Sequence, residues 1–350
     1  MSLPPGAVSA ARLAIRSTLC DVPAGATVAV ACSGGADSLA VASELVFVAR
    51  KMGWQTAAFV VDHGMQEGSA EVTHTAALTC ERLGVDTVAT VRVAVASGAG
   101  SGGPENAARD ARYDALESLA GEHRVAAVLL GHTLDDQAET VLLGLHRGSG
   151  ARSLAGMRPT KGIFRRPFLG LTRADTETIC AHGGIEFWVD PTNLESHDGP
   201  LRSQVRGRLL PLLDEILGPK IAETLARTAS QLQDDADALD DWAQRALDQA
   251  RSAGEESGPP NPDNSSGNSN ATHITLGLSV LQELPVAVRT RALRKAVLLA
   301  GTPAGPLKYS HIQEVDKLIT NWHGQGPINL PGRFTARRES GNVSIRPPTL

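Results

Sequence analysis

The chain has 350 residues, of which 42% are hydrophobic and 20% are charged, so it can bury a substantial core and is long enough for two domains. No apolar stretch reaches the ~20 residues that a membrane span needs, and no basic segment precedes an apolar run at the N-terminus. We therefore expect a globular cytoplasmic protein without membrane attachment, whose net charge of −5 confines any nucleic-acid binding to local basic patches.

The first half of the chain alternates apolar runs, which predict strands, with amphipathic stretches, which predict helices. This alternation favours right-handed crossovers and a doubly wound parallel sheet, with ligands at the carboxyl ends of the strands. The predicted elements are a helix over residues 7–20, a strand over 27–31, a helix over 38–51, a strand over 56–61, a helix over 69–83, a strand over 87–95, a helix over 105–120 and a strand over 125–130.

A glycine loop joins the first predicted strand to the helix after it, and residues 33–38 read Ser-Gly-Gly-Ala-Asp-Ser. Gly34 and Gly35 allow successive N–H groups to turn toward an anion, and the helix presents its positive N-terminus there. Ser33 and Ser38 add hydroxyl donors. The lysine of a Walker A loop is absent. The pattern therefore predicts a phosphate site of another kind rather than an ordinary glycine-rich turn.

Acidic residues follow the strand predicted over 125–130, where the next helix begins. Asp136 and Glu139 are i, i+3 neighbours on one helical face, and His132 stands near the same opening. A helix cap would explain one of the acids. The three residues together suit a cationic substrate, a magnesium ion or both, and these alternatives stay open here.

A cationic face is predicted on the helix over 105–120, where Arg109, Arg112 and Tyr113 are neighbours by helical spacing. This face is either a solvated surface or a rim of the site. The glycine-rich residues 97–104 before it are either a mobile flap or a linker. Residues 165–167 predict an exposed basic turn, and residues 186–189 predict a last short strand.

The second half of the chain predicts a smaller, mainly helical domain with a polar insert at residues 253–271 that lacks any apolar pattern and is expected to be disordered. Basic residues near the C-terminal end predict a positive stripe in this domain, formed by Arg289, Arg291, Arg294, Lys295, Arg333, Arg337 and Arg338. The predicted elements are helices over 220–251, 286–300 and 311–322 and strands over 327–330, 334–338 and 343–346.

The glycine loop resembles the Ser-Gly-Gly-x-Asp-Ser loop of the ATP pyrophosphatases, which hold the pyrophosphate of ATP while AMP is transferred. The motif Gly-His-x-x-Asp-Asp-Gln-Ala-Glu-Thr at residues 131–140, with residues 105–113, 147–157 and 190–193, is similar to the tRNA(Ile)-lysidine synthetases. This resemblance covers about residues 24–215. The remainder resembles, more weakly, the first C-terminal domain of the same family.

The resemblance implies a PP-loop ATP pyrophosphatase catalytic domain over residues 1–215 and a tRNA-binding domain over residues 216–350. It implies ATP and magnesium as cofactors, and free L-lysine and a tRNA(Ile) with a CAU anticodon as substrates. The wobble cytidine would be adenylated at its C2 oxygen, and the lysine ε-amine would then displace AMP to give lysidine. A homodimer is left open as the oligomeric state.

The resemblance also implies roles for individual residues. Asp37 is expected to hold magnesium, and Asp136 or Glu139 to bind the lysine ammonium and take its proton. The residues expected to bind ATP are Ser33, Gly34, Gly35, Ala36, Asp37, Ser38 and His63. Those expected to be catalytic are Asp37, Asp136, Glu139, Arg112 and Arg206, and those expected to bind substrate are His132, Asp136, Glu139 and Arg109.

Two alternatives to lysidine formation remain. A tRNA 2-thiolation enzyme resembles this chain in the glycine loop and in a His-x-x-Asp-Asp element. Such enzymes carry paired Cys-x-x-Cys motifs or a catalytic cysteine, whereas Cys20, Cys32, Cys80 and Cys180 are far apart and form no Cys-x-x-Cys pair. A nucleotide-binding sensor without chemistry would use the same loop, but it would not need the acidic residues.

Overall fold

The computed structural model describes residues 4–62, 64, 68–93, 104–147, 150–189, 200–257 and 272–348, without the side chains of residues 104–106, 256 and 257. The chain divides into two compact units, Met1–Gln233 and Asp234–Leu350. None of the described helices is both long and apolar enough to cross a membrane.

The first unit contains a six-stranded sheet, whose strands are β1 (Thr27–Cys32), β2 (Gln55–Asp62), β3 (Thr87–Arg92), β4 (Ala127–Leu130), β5 (Thr160–Lys161) and β6 (Phe164–Arg165). Their order is β3-β2-β1-β4-β6-β5, and every pair is parallel except β5 with β6. Val30 of β1 lies opposite Ala58 of β2 and Leu129 of β4. Because β1 is buried on both faces, its sequence is almost continuously apolar.

Helices cover both faces of this sheet, as the alternating pattern predicts. The helical elements up to residue 257 are α1 (Gly6–Thr18), α2 (Ala36–Met52), α3 (Ser69–Leu83), α4 (Pro104–Glu122), α5 (Leu134–His146), α6 (Ala151–Leu154), α7 (Arg173–Gly183), α8 (Leu201–Gln204), a π-helical turn (Val205–Leu209), α9 (Leu210–Leu217) and α10 (Ile221–Ser257), which continues into the second unit. Side chains of α1, α2, α3 and α7 share one apolar core with one face of the sheet, and α4 packs on the other face. The predicted doubly wound sheet is confirmed.

Two local predictions in the first unit are wrong. The described residues 185–189 pair with no strand, and the Trp188 N–H instead donates to the Gly34 carbonyl at 2.9 Å, beside the glycine loop. The basic turn at residues 165–167 is not exposed, since Arg166 has only 5% of its surface accessible. The reason is that β5 and β6 form the edge of the sheet and bury this segment.

The second unit combines helices with an antiparallel sheet, whose strands are β7 (Ile274–Gly277), β8 (Ile328–Asn329), β9 (Thr335–Glu339) and β10 (Asn342–Arg346), in the order β7-β10-β9-β8. Its apolar core includes Leu276, Leu293 and Val315. The helical elements after α10 are α11 (Leu278–Glu283), α12 (Val286–Leu299), α13 (Tyr309–Thr320) and a 3₁₀ turn (Pro331–Arg333). The domain boundary that we predict between residues 215 and 216 falls within α9, and it stays a prediction.

The start of the predicted disordered insert is wrong, because α10 continues through Ser257. Gly254 is buried, and a Cβ atom on it would lie 2.7 Å from the Thr275 carbonyl oxygen. The absence of a side chain at this position lets the last turns of α10 approach β7 closely. Residues 258–271 lie outside the described residues, as do His63 and residues 97–103.

The predicted positive stripe is partly neutralised within the second unit, where Arg289, Arg291 and Arg337 pair with carboxylates. Arg289 is buried, with its Nε 2.6 Å from Asp316 Oδ1, and it is a core residue rather than a surface cation. Arg291 pairs with Asp240 at 3.2 Å, and Arg294 donates to a backbone carbonyl. The predicted stripe is therefore wrong at Arg289, which is buried, and it is weakened at Arg291, which is paired with an acid of α10.

Candidate active site

A cavity of about 860 Å³ lies in the first unit at the carboxyl ends of β1, β2 and β4. This is the edge of a parallel sheet at which ligands bind. Its lining includes Ser33, Asp37, Asp62, Arg112, His132 and Trp188. The structure therefore brings the glycine loop, the helical arginine and the histidine after β4 to one cavity.

The backbone of the glycine loop is held in place by hydrogen bonds with the hydroxyl of Ser38. The Ser33 N–H donates to Ser38 Oγ at 3.1 Å, and the Ser38 hydroxyl donates to the Gly35 carbonyl at 3.0 Å. Gly34 has a φ of +83°, in the left-handed region that favours glycine. Gly35 directly precedes α2, so the positive end of α2 faces the cavity beside Ala36 and Asp37. The loop has the form of a preorganised anion site.

Asp37 is held by the first turn of α7. Its Oδ1 accepts a hydrogen bond from the Thr176 hydroxyl at 2.6 Å, and Arg173 lies 3.5 Å from its Oδ2. Burial raises the pKa of the Asp37 carboxyl, against the charge of Arg173 and the hydrogen bond from Thr176. The carboxylate is therefore fixed in place while remaining part of the cavity wall.

The position of α7 is set in turn by caps at its N-terminus. Thr172 and Asp175 form a capping box, in which each side chain accepts from the backbone N–H of the other. The Arg173 N–H donates to Asp135 Oδ2 at 2.8 Å. Asp135 therefore ties α7 to the first turn of α5, and through Arg173 to Asp37.

Asp136 has two roles in the structure. It forms a capping box with Thr133, whose N–H donates to Asp136 Oδ2 at 2.9 Å, so the helix-cap alternative applies to this acid. Its Oδ1 lies 3.3 Å from Arg206 Nη2. Burial would raise the pKa of Asp136, but the backbone hydrogen bond from Thr133 and the nearby positive charges hold it below the ordinary value.

Glu139 is fully buried and is paired with two arginines. Arg206 Nε lies 2.6 Å from Glu139 Oε1, and Arg202 Nε lies 3.0 Å from Oε2. Burial raises the pKa of the Glu139 carboxyl, against the hydrogen bond and charge of Arg206. The structure thus joins the predicted residues Asp136, Glu139 and Arg206 in one ion-pair group.

His132 lies directly after β4 and lines the cavity. Its Nδ1 is buried and has no hydrogen-bond partner among the described residues. Burial lowers the pKa of His132 to about 3, and the positive charges of Arg166 and Arg112 act in the same direction. The ring is therefore neutral at pH 7 and offers an unpaired nitrogen at the cavity.

The remaining predicted site residues are Arg109, Arg112 and His63. Arg112 lines the cavity, and Arg109 lies over the ring of Tyr113, with its guanidinium carbon 5.3 Å from the ring centroid. His63 lies outside the described residues. Within the part of the chain that the structure describes, no group of three or more His, Cys, Asp or Glu residues is arranged to hold a metal ion.

The parallel sheet, the glycine loop and the cavity together define a PP-loop nucleotide-binding domain. Residues 12–213 match the family model described as a PP-loop domain, and residues 276–344 match the model described as the TilS substrate binding domain. The chain belongs to the tRNA(Ile)-lysidine synthase family.

The comparisons with individual proteins agree with this assignment. The chain is 48% identical to the tRNA(Ile)-lysidine synthase of Thermobifida fusca (strain YX), over 99% of each chain. It is 47% identical to that of Streptomyces coelicolor (strain ATCC BAA-471 / A3(2) / M145), over 93% of this chain and 86% of the relative. The resemblance predicted from the motifs is confirmed, and it is favoured over the 2-thiolation alternative.

A solved structure supports the fold alone. The U34-tRNA thiolase NcsA from Methanococcus maripaludis is similar with a TM-score of 0.55 at 18% identity, covering 65% of this chain and 79% of that chain. The shared architecture agrees with a parallel PP-loop sheet.

Sequence reasoning missed Arg173, Thr176 and Arg166 as residues of the site region. The pattern Thr-x-x-Asp at residues 172–175 is a helix-start signal and could have located α7. It could not have shown that this helix packs against the glycine loop, because that contact joins residues 139 positions apart.

Gly131→Ala is expected to weaken ATP binding and to destabilise the fold by about 1–3 kcal/mol. A Cβ atom there would lie 2.8 Å from Ser38 N and 2.9 Å from the Asp37 carbonyl carbon, and these backbone atoms cannot move without displacing α2. Thermal melts and ATP titrations would measure both effects. Gly121→Ala is the matched control, since nothing lies within 4 Å of its Cβ position in α4. Equal behaviour of the two variants would contradict the steric argument.

Acidification is expected to destabilise the protein more than it destabilises a His132→Gln variant. The unfolded chain carries His132 with a pKa of about 6.5, whereas its pKa in the folded chain is about 3. Between these values the unfolded state binds more protons, so this contribution to stability is present above pH 6.5 and is lost as the pH falls. This one group changes the free energy of unfolding by at most about 1.4 kcal/mol per pH unit. Urea unfolding of both proteins at pH 7, 6 and 5 would measure it, and equal slopes in the two proteins would show that folding does not lower the pKa of His132.

Proposed function

We propose that the chain joins free L-lysine to the wobble cytidine of a tRNA(Ile) with a CAU anticodon, using ATP and giving lysidine, AMP and pyrophosphate. One observation carries this proposal: the cavity that contains the glycine loop and Asp37 also contains Arg112 and His132. A nucleotide held by the loop and an acceptor base could meet there.

In the first step the C2 oxygen of the cytidine attacks the α-phosphorus of ATP, and the bond to the β-phosphate breaks to release pyrophosphate. The N–H groups at Gly34 and Gly35 and the positive end of α2 stabilise the negative charge of that leaving group. Arg112 lines the same cavity, where its positive charge can bind a further phosphate group. Ser33 and Ser38 shape the loop through their hydrogen bonds.

Asp37 is suited to hold magnesium that arrives with ATP. Such ions are bound by one or two carboxylates together with substrate phosphates, so one well-placed carboxylate is enough. Asp37 stands at the N-terminus of α2 in the cavity wall and is oriented by Thr176. When bound, magnesium offsets the charge on the departing pyrophosphate.

In the second step the lysine ε-amine attacks C2, the bond from C2 to the oxygen breaks, and AMP leaves. Asp136 and Glu139 supply the negative charge that attracts the lysine ammonium and a base for its proton. Arg202 and Arg206 now hold the Glu139 carboxylate, so the ammonium must share or replace an arginine contact.

Incubation with ATP, labelled lysine and a tRNA(Ile) transcript tests the proposal. We expect label in the RNA and one AMP for each lysine incorporated. The matched control is the same transcript with the wobble cytidine replaced by uridine, which should take up no label. Equal labelling of both transcripts, or of neither, would refute the assignment.

The wider parts of the proposal rest on the family resemblance. They are tRNA binding by residues 216–350, a cytoplasmic location and a homodimer. Size-exclusion chromatography with light scattering would measure the oligomeric state.

A further inference from the structure

Arg166 is a buried arginine that pairs with no carboxylate among the described residues. Only 5% of its surface is exposed. Its Nη1 donates to the Arg158 carbonyl at 2.9 Å and its Nη2 to the Tyr113 hydroxyl at 3.2 Å, while its Nε has no partner. A buried charge is unfavourable unless it is paired or hydrogen-bonded. Among the described residues, only two neutral oxygens, those of the Arg158 carbonyl and the Tyr113 hydroxyl, stabilise this guanidinium. The arrangement calls for a functional reason.

Tyr113 lies between this buried arginine and Arg112, which lines the cavity. Its hydroxyl oxygen accepts from Arg166 and from Arg109 Nη2, the latter at 3.5 Å. Its ring packs edge-on against Phe164, with the centroids 4.9 Å apart. The guanidinium carbons of Arg109 and Arg112 lie 5.3 and 5.9 Å from the same ring centroid. Three guanidinium groups thus surround one tyrosine, which is fixed from several sides.

These three positive charges lack a counter-charge in the described structure. Burial lowers the pKa of Arg112, and the like charges of Arg109 and Arg202 add to this effect. Glu139 and Asp136 together compensate Arg202 and Arg206, but no carboxylate contacts Arg109, Arg112 or Arg166 among the described residues. Repulsion among them would be relieved by an anion bound at the cavity. A phosphate group is the anion that guanidinium groups bind best.

We propose that Arg166 and Tyr113 are positioning residues that hold Arg112 at the cavity wall, with Arg109 beside it, as a phosphate-binding pair. This inference rests on the proposed function, which supplies two sources of that phosphate: the α-phosphate of ATP and the RNA backbone at the wobble nucleotide. Arg112 is the member of the group that lines the cavity. Arg166 acts through Tyr113 and not by touching the substrate.

Tyr113→Phe is the sharpest test, because it retains the ring but removes the hydroxyl oxygen by which Arg166 fixes that ring beside Arg112 and to which Arg109 also donates. We expect the KM of one substrate to rise about tenfold, the effect of losing one hydrogen bond to a charged group. A rise in the KM for ATP at saturating tRNA assigns the site to the nucleotide phosphate. A rise in the KM for tRNA at saturating ATP assigns it to the RNA backbone. If both values stay within twofold of wild type in a folded variant, the inference is wrong.

Arg166→Met and Arg165→Met form a matched pair on adjacent residues. Arg165 pairs with Asp21 at 3.2 Å, so its loss should leave both KM values unchanged. Arg166→Met should reproduce the Tyr113→Phe effect, and Arg166→Lys should recover part of it. A purely structural role would lower the melting temperature of Arg166→Met without changing either KM, and this result would overturn the proposal. If Arg166→Met does not fold, Tyr113→Phe alone decides.

A binding measurement separates this inference from the proposed function. Inorganic phosphate should raise the melting temperature of the wild-type protein, because a ligand that binds only the folded state stabilises it. We expect a smaller shift for Tyr113→Phe and an unchanged shift for Arg165→Met. Equal shifts in wild type and Tyr113→Phe would contradict the positioning role, even if the protein formed no lysidine. An inactive wild type with the expected difference in shifts would refute only the proposed function.

Discussion

Asp37→Asn is expected to lower AMP and pyrophosphate formation by about 10³-fold while leaving the fold intact. Asparagine has the same size and can still accept the hydrogen bond that Thr176 donates at 2.6 Å. It lacks the negative charge that would hold magnesium against the leaving pyrophosphate. Single-turnover release of pyrophosphate in the presence of tRNA would measure the loss, and circular dichroism would report the fold.

Thr176→Val and Thr176→Ser are the controls for this result. Valine removes the hydroxyl that orients Asp37, whereas serine retains it. We expect a reduction of about tenfold for valine, consistent with one lost hydrogen bond to a charged group, and near wild-type turnover for serine. If Asp37→Asn formed AMP at the wild-type rate, the carboxylate would have no part in the phosphate chemistry.

Arg206→Met is expected to lower the free energy of unfolding by about 3 kcal/mol, at the lower end of the range for breaking a buried ion pair. Glu139 is fully buried, and Arg206 reaches both of its oxygens at 2.6 and 3.2 Å. Removal of the arginine leaves that carboxylate with Arg202 as its remaining partner. Urea unfolding at pH 7 would measure the change as a lower midpoint.

The double variant Arg206→Met with Glu139→Leu is the matched control. Removal of both charges leaves Asp136 and Arg202 as one negative and one positive group, so the cluster stays neutral and part of the lost stability should return. A folded double variant that adenylates tRNA but does not incorporate lysine would support the proposed role of Glu139 toward lysine. Full lysine incorporation by that variant would show that Glu139 has only a structural role. A loss below about 1 kcal/mol in the single variant would mean that Arg202 alone compensates the acid.

The sequence by itself predicted the first four strands of the PP-loop sheet and the position of the glycine loop, but not the short strands β5 and β6. These features depend on local physics. Apolar runs predict strands that are buried on both faces, and two adjacent glycines before a helix allow a backbone that can turn N–H groups toward an anion. The acids at 136 and 139 were likewise found from their spacing on one helical turn.

Only the tertiary structure decided how these residues are paired. The contact between Thr176 and Asp37 joins residues 139 positions apart, that between Arg206 and Glu139 joins residues 67 apart, and that between Arg166 and Tyr113 joins residues 53 apart. Such contacts arise where crossovers bring separate elements to one edge of a sheet, and no local pattern encodes them. Burial also depends on the neighbours that pack over a residue. For this reason an arginine predicted to be exposed at position 166 lies in the interior, and two cations of the predicted stripe, Arg289 and Arg291, are paired with acids from other elements.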